Sequence, residues 1–261
     1  MPAEEIVLFE ESEGIATITL NRPERRNALS VAAAERLHDL WEEIDQGVDI
    51  RVVILTAAAC GTFCAGVDLK EASELRASRG IDVLTLIRDP FHERMRKVRV
   101  PIIAAMTGHF PAGGFMISLN ADLRIVLAGT SGGITKAKRG RGSPWAMPLL
   151  WQMPQPVLME MVLTGEQTVE RLHALGFVNH VEPTVEAVTA RARMLAETIR
   201  DNAPLLVAAG KQPILRTMDL VAPKGLNKQN GYTNMSMRAT MRRKGRGPSP
   251  RSACPYGPAN S

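Results

Sequence analysis

The chain has 261 residues, 45% of them hydrophobic, and a formal net charge of +5. That length can bury a substantial core, as one domain or one domain plus a small appendage. No apolar run reaches the ~20 residues of a membrane span, and the N-terminus lacks the basic and apolar regions of a signal peptide. The charge is unevenly placed: past residue 221 there are eight Lys or Arg and no Asp or Glu, so the body keeps 24 basic against 27 acidic residues and is mildly acidic.

In chain order, Ile6–Phe9 and Ile15–Leu20 read as two strands joined around Ser12-Glu13-Gly14, a hairpin signal. Asn21-Arg22-Pro23 breaks the second strand. Ser30 is a good N-cap for a helix to about Ile44, with Leu37, Leu40, Trp41 and Ile44 on one face. Val52–Leu55 predicts a strand buried on both faces. Helical sequence begins again at about Asp68, and Ile81–Lys97 predicts another helical stretch, interrupted by Pro90. A strand at Ile102–Met106, an apolar helix from Phe115 to Leu119 and a strand at Leu123–Leu127 follow. Residues 129–148 are rich in Gly, Ser and Arg and predict a loop. A helix resumes near Val157, Glu186–Arg200 is a further helix, and Pro204 opens another segment. The alternation favours an α/β fold with mostly buried strands.

Two stretches carry chemistry. Thr107-Gly108-His109-Phe110-Pro111-Ala112-Gly113-Gly114 leads from a strand into a helix, and Thr62-Phe63-Cys64-Ala65-Gly66-Val67-Asp68-Leu69 does the same after the Val52 strand. Adjacent glycines at the mouth of a helix let the backbone approach a ligand and leave N–H groups at the positive end of the dipole. Such a turn suits an oxyanion, a phosphate or a polarised carbonyl; it also serves simply as a tight strand-to-helix connection. Cys60, Cys64 and Cys254 make no disulfide framework, which suits a reducing cytoplasm. Without convincing His or Cys partners, Cys60 and Cys64 read as small core or turn residues, and no metal is expected.

Taken together with Asn21-Arg22-Pro23, Asn27-Ala28-Leu29-Ser30, Ala121-Asp122-Leu123-Arg124-Ile125, Met161–Gly165 and Ala174–Asn179, these stretches resemble the crotonase (enoyl-CoA hydratase/isomerase) superfamily over roughly residues 5 to 220. The segment Arg139-Gly-Arg-Gly-Ser-Pro-Trp145 looks like a subgroup with GRGSPW in this loop. The resemblance implies a crotonase-type spiral of ββα units with a C-terminal helical region. It divides the chain into a core domain at 1–200 and a helical, trimerisation region at 201–261, and it implies a homotrimer or hexamer. It implies an acyl-CoA substrate, coenzyme A being part of that substrate and no separate cofactor being needed. It assigns oxyanion-hole donors to the N–H groups of Val67 and Gly113, with Ala65, Gly66, Asp68, Leu69 and Gly114 lining the turns. Arg26 is a candidate for the CoA phosphates, or an exposed surface arginine. Ala28 and Leu29 would supply backbone and an apolar wall. Asp68 reads as a helix cap in preference to a catalytic acid.

The departures matter more. Alignment through Gly113 and Asp122 puts the superfamily's two catalytic glutamates at Met116 and Lys136. Met116 is a soft apolar filler. Lys136 would need a strongly depressed pKa to act as a base. His109 could titrate near neutrality or be structural. Lys136, Lys138, Arg139 and Arg141 could bind an anionic acyl group or CoA phosphates, or form a solvated loop. Trp145 could wall an acyl pocket or be ordinary core.

Residues 221–261 are atypical. A basic arm for nucleic acid is one reading. Translation out of frame is the preferred one, because the codons open to Lys244–Ser249 permit, one nucleotide earlier, EGPRAF, which resembles the tail of the subgroup. Nucleic acid is therefore not expected as a partner, and neither is a membrane. The expected function is an acyl-CoA-processing enzyme of the hydratase/isomerase type that stabilises a thioester enolate, in the cytoplasm. Another crotonase reaction (isomerisation, decarboxylation or thioester hydrolysis) and a non-catalytic acyl-CoA- or RNA-binding module are the rivals.

Overall fold

The computed structural model describes residues 3–135 and 150–217. A first turn of helix, α1 (Ala3–Ile6), stands where the sequence predicts the start of a strand. Its last carbonyl, on Ile6, accepts the Asn21 N–H at 2.9 Å. The strand itself, β1 (Val7–Ser12), begins one residue later and pairs antiparallel with β2 (Ile15–Leu20), Ser12 opposite Ile15. Glu13 and Gly14 make the turn with φ of 53° and 76°. Positive φ at both central residues matches the right-handed twist of the flanking strands.

Helix α2 (Val31–Gln46) is capped as expected: the Ser30 side chain accepts the Ala33 N–H. It leads to β3 (Val52–Ala57), and α3 (Leu69–Arg79) follows. The predicted helical stretch at 81–97 is not one. It contains a single 3₁₀ turn at Val83–Thr85 and the short α4 (Glu93–Arg96). Local side-chain bonds replace the helical ones: Asp82 Oδ1 accepts the Leu84 N–H, and Asp89 accepts the N–H groups of Phe91, His92 and Arg94. Asp89 also precedes Pro90, a position that disfavours helix.

Next come β4 (Ile102–Met106), the two-residue β5 (Phe110–Pro111), α5 (Gly113–Asn120), β6 (Leu123–Leu127) and β7 (Ser131–Gly133). The second described stretch holds α6 (Gln155–Thr164), β8 (Glu166–Thr168), α7 (Val169–Ala174), β9 (His180–Glu182) and α8 (Val185–Asp201). Residues 204–217 form a last helix, α9.

The main sheet has the order β1-β2-β3-β4-β6-β9, parallel from β2 onward. Its central strands β3 and β4 are buried on both faces, and alternate residues go to different sides. Val52, Ile54, Ile103, Ala105 and Ile125 pack with Val188, Ala192 and Ala196 of α8. Val53, Leu55, Ile102, Ala104 and Met106 share the larger core with Leu37, Leu40, Trp41 and Ile44 of α2 and with Phe115, Ile117 and Leu119 of α5. This is why the sequence of β3 reads as an unbroken apolar run. A second, three-stranded sheet joins β5, β7 and β8. Lys211 of α9 anchors that helix by donating to Asp122 Oδ2 and the Val100 carbonyl, each at 2.8 Å.

Candidate active site

Because β3 and β4 are parallel neighbours, the chain leaves both at the same edge of the sheet, the edge where ligands bind in parallel α/β sheets. The turn after β3 runs to Asp68 and the turn after β4 to Gly113. They are laced together. His109 N–H donates to the Gly61 carbonyl at 3.0 Å and Phe63 N–H to the His109 carbonyl at 2.8 Å. Asn27, buried with φ 51°, ties in the loop before α2. Its Nδ2 donates to the carbonyls of Ala58 (2.9 Å) and Thr62 (2.8 Å), and its Oδ1 accepts the Arg22 N–H at 3.0 Å.

The glycines are required by how closely the two turns approach. Gly66 has φ +88°, and a Cβ there would lie 2.9 Å from the Gly113 nitrogen. A Cβ on Gly113 would lie 2.8 Å from Gly66 Cα, and one on Gly114 would collide with the Cys64 carbonyl oxygen. Between these turns sit two backbone donors. Leu29 N–H donates to the Gly66 carbonyl (2.8 Å) and Asp68 N–H to the Leu29 carbonyl (2.9 Å), so Leu29 brackets Val67 like a strand partner. The Val67 N–H itself, and the Gly113 N–H at the first residue of α5, donate to no group among the described residues. An N–H at the start of a helix has no intrahelical acceptor, and the dipole makes this end positive.

Asp68 is a cap, as its place in the sequence predicts. Its Oδ1 accepts the N–H groups of Lys70 (3.0 Å) and Glu71 (3.3 Å), and its Oδ2 accepts Arg22 Nη2 at 2.9 Å. Burial alone would raise this carboxyl. The Arg22 hydrogen bond and the α3 amides outweigh burial and hold it below the usual range. Arg22 also donates to the Ala28 carbonyl at 2.6 Å, so one guanidinium joins the loop before α2 to the start of α3. Glu71 adds a second link, accepting the Val31 N–H at 3.0 Å. Sequence reading missed the roles of Arg22, Asn27 and Glu71. The only available signal was that Arg22 and Asn27 lie within quoted motifs.

The other candidates fall as follows. Ala65 is half-buried; its N–H donates to the carbonyl of Arg26, whose side chain is exposed. Ala28 and Leu29 are buried, while Leu69 presents an exposed side chain. Met116 lies in the first turn of α5 and is buried, without a hydrogen-bonding side chain. Cys64 is fully buried, and burial pushes its thiol up to about 12, so it offers no thiolate. The His109 ring is exposed. Its Nδ1 accepts the Ser131 N–H at 3.0 Å and lies 3.1 Å from Ser131 Oγ, whose hydroxyl donates to Glu166 Oε2 at 2.9 Å. Nδ1 is therefore unprotonated and Nε2 carries the hydrogen. Lys136 and Trp145, with Lys138, Arg139 and Arg141, lie outside the described residues. Ala112, just before Gly113, has φ 53° and ψ −110°, a conformation that glycine adopts without strain. A cavity of about 620 Å³ opens at the opposite end of α5, lined by Asn120, Asp122, Arg124, Gln152 and Phe177 among others.

Among the described residues no group of three or more His, Cys, Asp or Glu could hold a metal ion, and no helix is long and apolar enough to cross a membrane. What the site does offer is two backbone N–H groups without an acceptor among the described residues, on turns that approach closely at Gly66 and Gly113.

Residues 10–247 match the sequence model of a family described as enoyl-CoA hydratase/isomerase. The chain is 36% identical over 231 residues to the (E)-benzylidenesuccinyl-CoA hydratase of Thauera aromatica, covering 84% of this chain and 86% of that protein. It is 35% identical over 216 residues to the enoyl-CoA hydratase EchA19 of Mycobacterium tuberculosis, covering 77% and 75%. Among solved structures, an enoyl-CoA hydratase from Mycobacterium tuberculosis H37Rv superposes with a TM-score of 0.77 at 28% identity, over 89% of this chain and 99% of that one.

Proposed function

The chain belongs to the enoyl-CoA hydratase/isomerase family, and from that premise we propose that the N–H groups of Val67 and Gly113 polarise the thioester carbonyl of an acyl-CoA. The observation that carries this is their shared freedom: two backbone donors, on turns held within van der Waals contact at Gly66 and Gly113, with no protein acceptor among the described residues. As an enolate or tetrahedral species forms, negative charge moves onto the carbonyl oxygen. Donors already aimed at that oxygen stabilise it without reorganising, and loss of one typically costs about 3 kcal/mol. Ala65, Gly66, Asp68, Leu69 and Gly114 shape the two turns, Ala28 and Leu29 back them, and Arg26, whose side chain is exposed, would meet CoA phosphates. Coenzyme A enters as part of the substrate, and no other cofactor is called for.

Water addition by two carboxylates does not fit these side chains, since Met116 and Lys136 stand at the aligned glutamate positions. The titratable candidates for proton transfer are Lys136 and His109; with Nδ1 held by the Ser131 N–H and the hydrogen on Nε2, His109 in this state can donate a proton and not take one, which leaves Lys136 as the candidate base. The reaction that fits is α-proton chemistry on the thioester: isomerisation, or enolate formation coupled to another step. A non-catalytic acyl-CoA-binding role is the second reading, favoured by the apolar Met116. The acyl group is left open. The name of one relative specifies an aryl, carboxylate-bearing acyl group and that of the other only an enoyl group, and the basic sequence Lys136–Arg141 with Trp145 would suit the former.

Assembly as a homotrimer or hexamer is part of the proposal, through the C-terminal region from residue 201. Leu205, Leu206 and Ile214 leave an apolar surface exposed on α9 that supports it. A cytoplasmic site of action fits the cysteine usage, and neither membrane nor nucleic acid is proposed as a partner.

The test is to incubate the purified chain in D2O with crotonyl-, longer enoyl-, aromatic enoyl-, 3-hydroxyacyl- and malonyl-type CoA thioesters and follow masses. Deuterium uptake at the α-carbon without net hydration is expected. Stoichiometric hydration would refute the exclusion of water addition. Binding without any mass change would favour the second reading.

A further inference from the structure

The cavity at the far end of α5 exposes a group that the proposed chemistry does not use. Arg124, at the start of β6, is buried, with 8% of its surface exposed. Its guanidinium donates to the carbonyls of Ser118, Leu119 (3.3 Å) and Ala121 (3.0 Å), to the Phe177 carbonyl (3.2 Å) and to Gln152 Oε1 (2.8 Å). Three of those acceptors are carbonyls at the C-terminal end of α5, groups that have no intrahelical donor. Among the described residues no carboxylate lies within ion-pair distance, although Asp122 contributes a nearby negative charge. Burial lowers the guanidinium to about 10, so it remains charged at neutral pH. A buried cation facing the negative end of a helix is a costly feature that an apolar side chain would avoid.

The same guanidinium stands 4.5 Å from the centroid of the Phe177 ring. Phe177 stacks on Phe115 at 5.3 Å, and Phe115 on Phe110 at 6.1 Å. Phe110 ends at the glycine turn. Its ring fills the space where a side chain on Gly132 would be, and its Cβ would lie 3.2 Å from a Cβ on Gly114. One continuous column thus runs the length of α5, eight residues or about 12 Å, from the Arg124 guanidinium to the turn that presents Gly113.

We propose that Arg124 is a positioning residue for the thioester site: its guanidinium caps the C-terminal end of α5 and, through the Phe177–Phe115–Phe110 column, sets the axial position and polarity of the Gly113 N–H. The proposal rests on the reading of Gly113 as a carbonyl donor. A point cation pinned at the C-terminal end opposes the negative half of the dipole and adds positive potential along the helix. The column resists the sliding of α5 that would withdraw Gly113 from Val67.

The test reads the ground state, so it does not depend on turnover. Crotonyl-CoA labelled with 13C at the thioester carbonyl is bound to the wild-type chain and to Arg124→Lys, Arg124→Ala and Phe177→Leu, and the isotope-edited infrared band is recorded with the dissociation constants of crotonyl-CoA and of free CoA. In the wild type the band should move to lower frequency than in water. Arg124→Ala should lose about half of that displacement and bind the thioester about tenfold more weakly, because misaligning a donor forfeits part of what deleting it would cost. Its affinity for free CoA, which carries no carbonyl at the site, should stay within about twofold of the wild type on the same grounds. Arg124→Lys and Phe177→Leu should fall between. Millimolar guanidinium should restore the Arg124→Ala band, since the cavity gives access to the vacated place. Equal displacements in wild type and variants would overturn the proposal, as would parallel losses for crotonyl-CoA and free CoA. If Arg124→Ala fails to fold, Arg124→Lys and Phe177→Leu decide by the same criterion. No displacement in the wild type would instead remove the carbonyl-donor reading, and the proposal with it.

Discussion

Gly66→Ala is the sharpest test of how the two turns meet. The added Cβ would lie 2.9 Å from the Gly113 nitrogen and 3.2 Å from the Ala112 Cβ, at a φ of +88°. The positive φ costs an alanine about 1–2 kcal/mol. Forcing a methyl group into a filled contact adds about 1–3 kcal/mol. Gly61 supplies the control, because it has φ +74° with nothing within 4 Å of its Cβ position; Gly61→Ala meets the backbone term alone. The expected losses in chemical denaturation are about 3 kcal/mol for Gly66→Ala and about 1 kcal/mol for Gly61→Ala. In thermal melts the first corresponds to a fall of about 6–12 °C. Gly66→Ala should also separate the two donors and weaken crotonyl-CoA binding about tenfold, while Gly61→Ala leaves it unchanged. Equal costs for the two substitutions, with thioester binding intact in both, would refute the close approach of the turns.

Ala112→Gly should stabilise the chain by about 1 kcal/mol, because φ 53° with ψ −110° strains an alanine and not a glycine; a melting temperature that falls would contradict this. Asp68→Asn removes the partner of Arg22, and the signature lies in pH. A carboxyl held below its unfolded value contributes stability that is complete above the unfolded pKa of about 3.9 and fades as pH falls through the folded value. The stability gap between wild type and Asp68→Asn should therefore be constant from about pH 5 to 7 and close below about pH 4; a gap that widens in acid would be inconsistent. Met116→Glu combined with Lys136→Glu should bring hydration of crotonyl-CoA up from background, detected as a mass gain of one water. Met116→Glu alone, burying a lone carboxylate in the α5 core, should destabilise the chain by about 2 kcal/mol or more without that gain.

Much of the framework was legible because one physical pattern dominated locally. The Ser30 cap and the apolar face of α2, the buried run of β3, and the glycine turn leading into α5 each carry their own signal within a dozen residues. The stretch at 81–97 misled because its apolar spacing suits a helix, while Asp82, Asp89 and Pro90 commit the backbone to turns. The second sheet was invisible for another reason: β5, β7 and β8 have two or three residues each, too few for any alternation to show.

At the site, the sequence showed two strand-to-helix turns of small residues, and it was the resemblance to the family that assigned their donors to Val67 and Gly113. The groups that hold them in place were legible from neither. The Arg22–Asp68 pair spans 46 residues and the bond between His109 and Ser131 spans 22. Phe110 covers Gly132 across a similar separation. Arg124 read only as part of a strand motif, and its five acceptors come from the last turn of α5, its cap residue Ala121, the segment around Gln152 and the residue Phe177. Such partners are brought together by topology, and local pattern does not encode them.

The most direct test of the central claim is the infrared carbonyl band of 13C-labelled crotonyl-CoA bound to the wild-type chain. Two backbone donors on one oxygen predict a band clearly below that of the same thioester free in water, together with tighter binding of crotonyl-CoA than of CoA alone. A bound thioester whose carbonyl band matches the value in water would contradict the assignment of Val67 and Gly113 as the polarising pair.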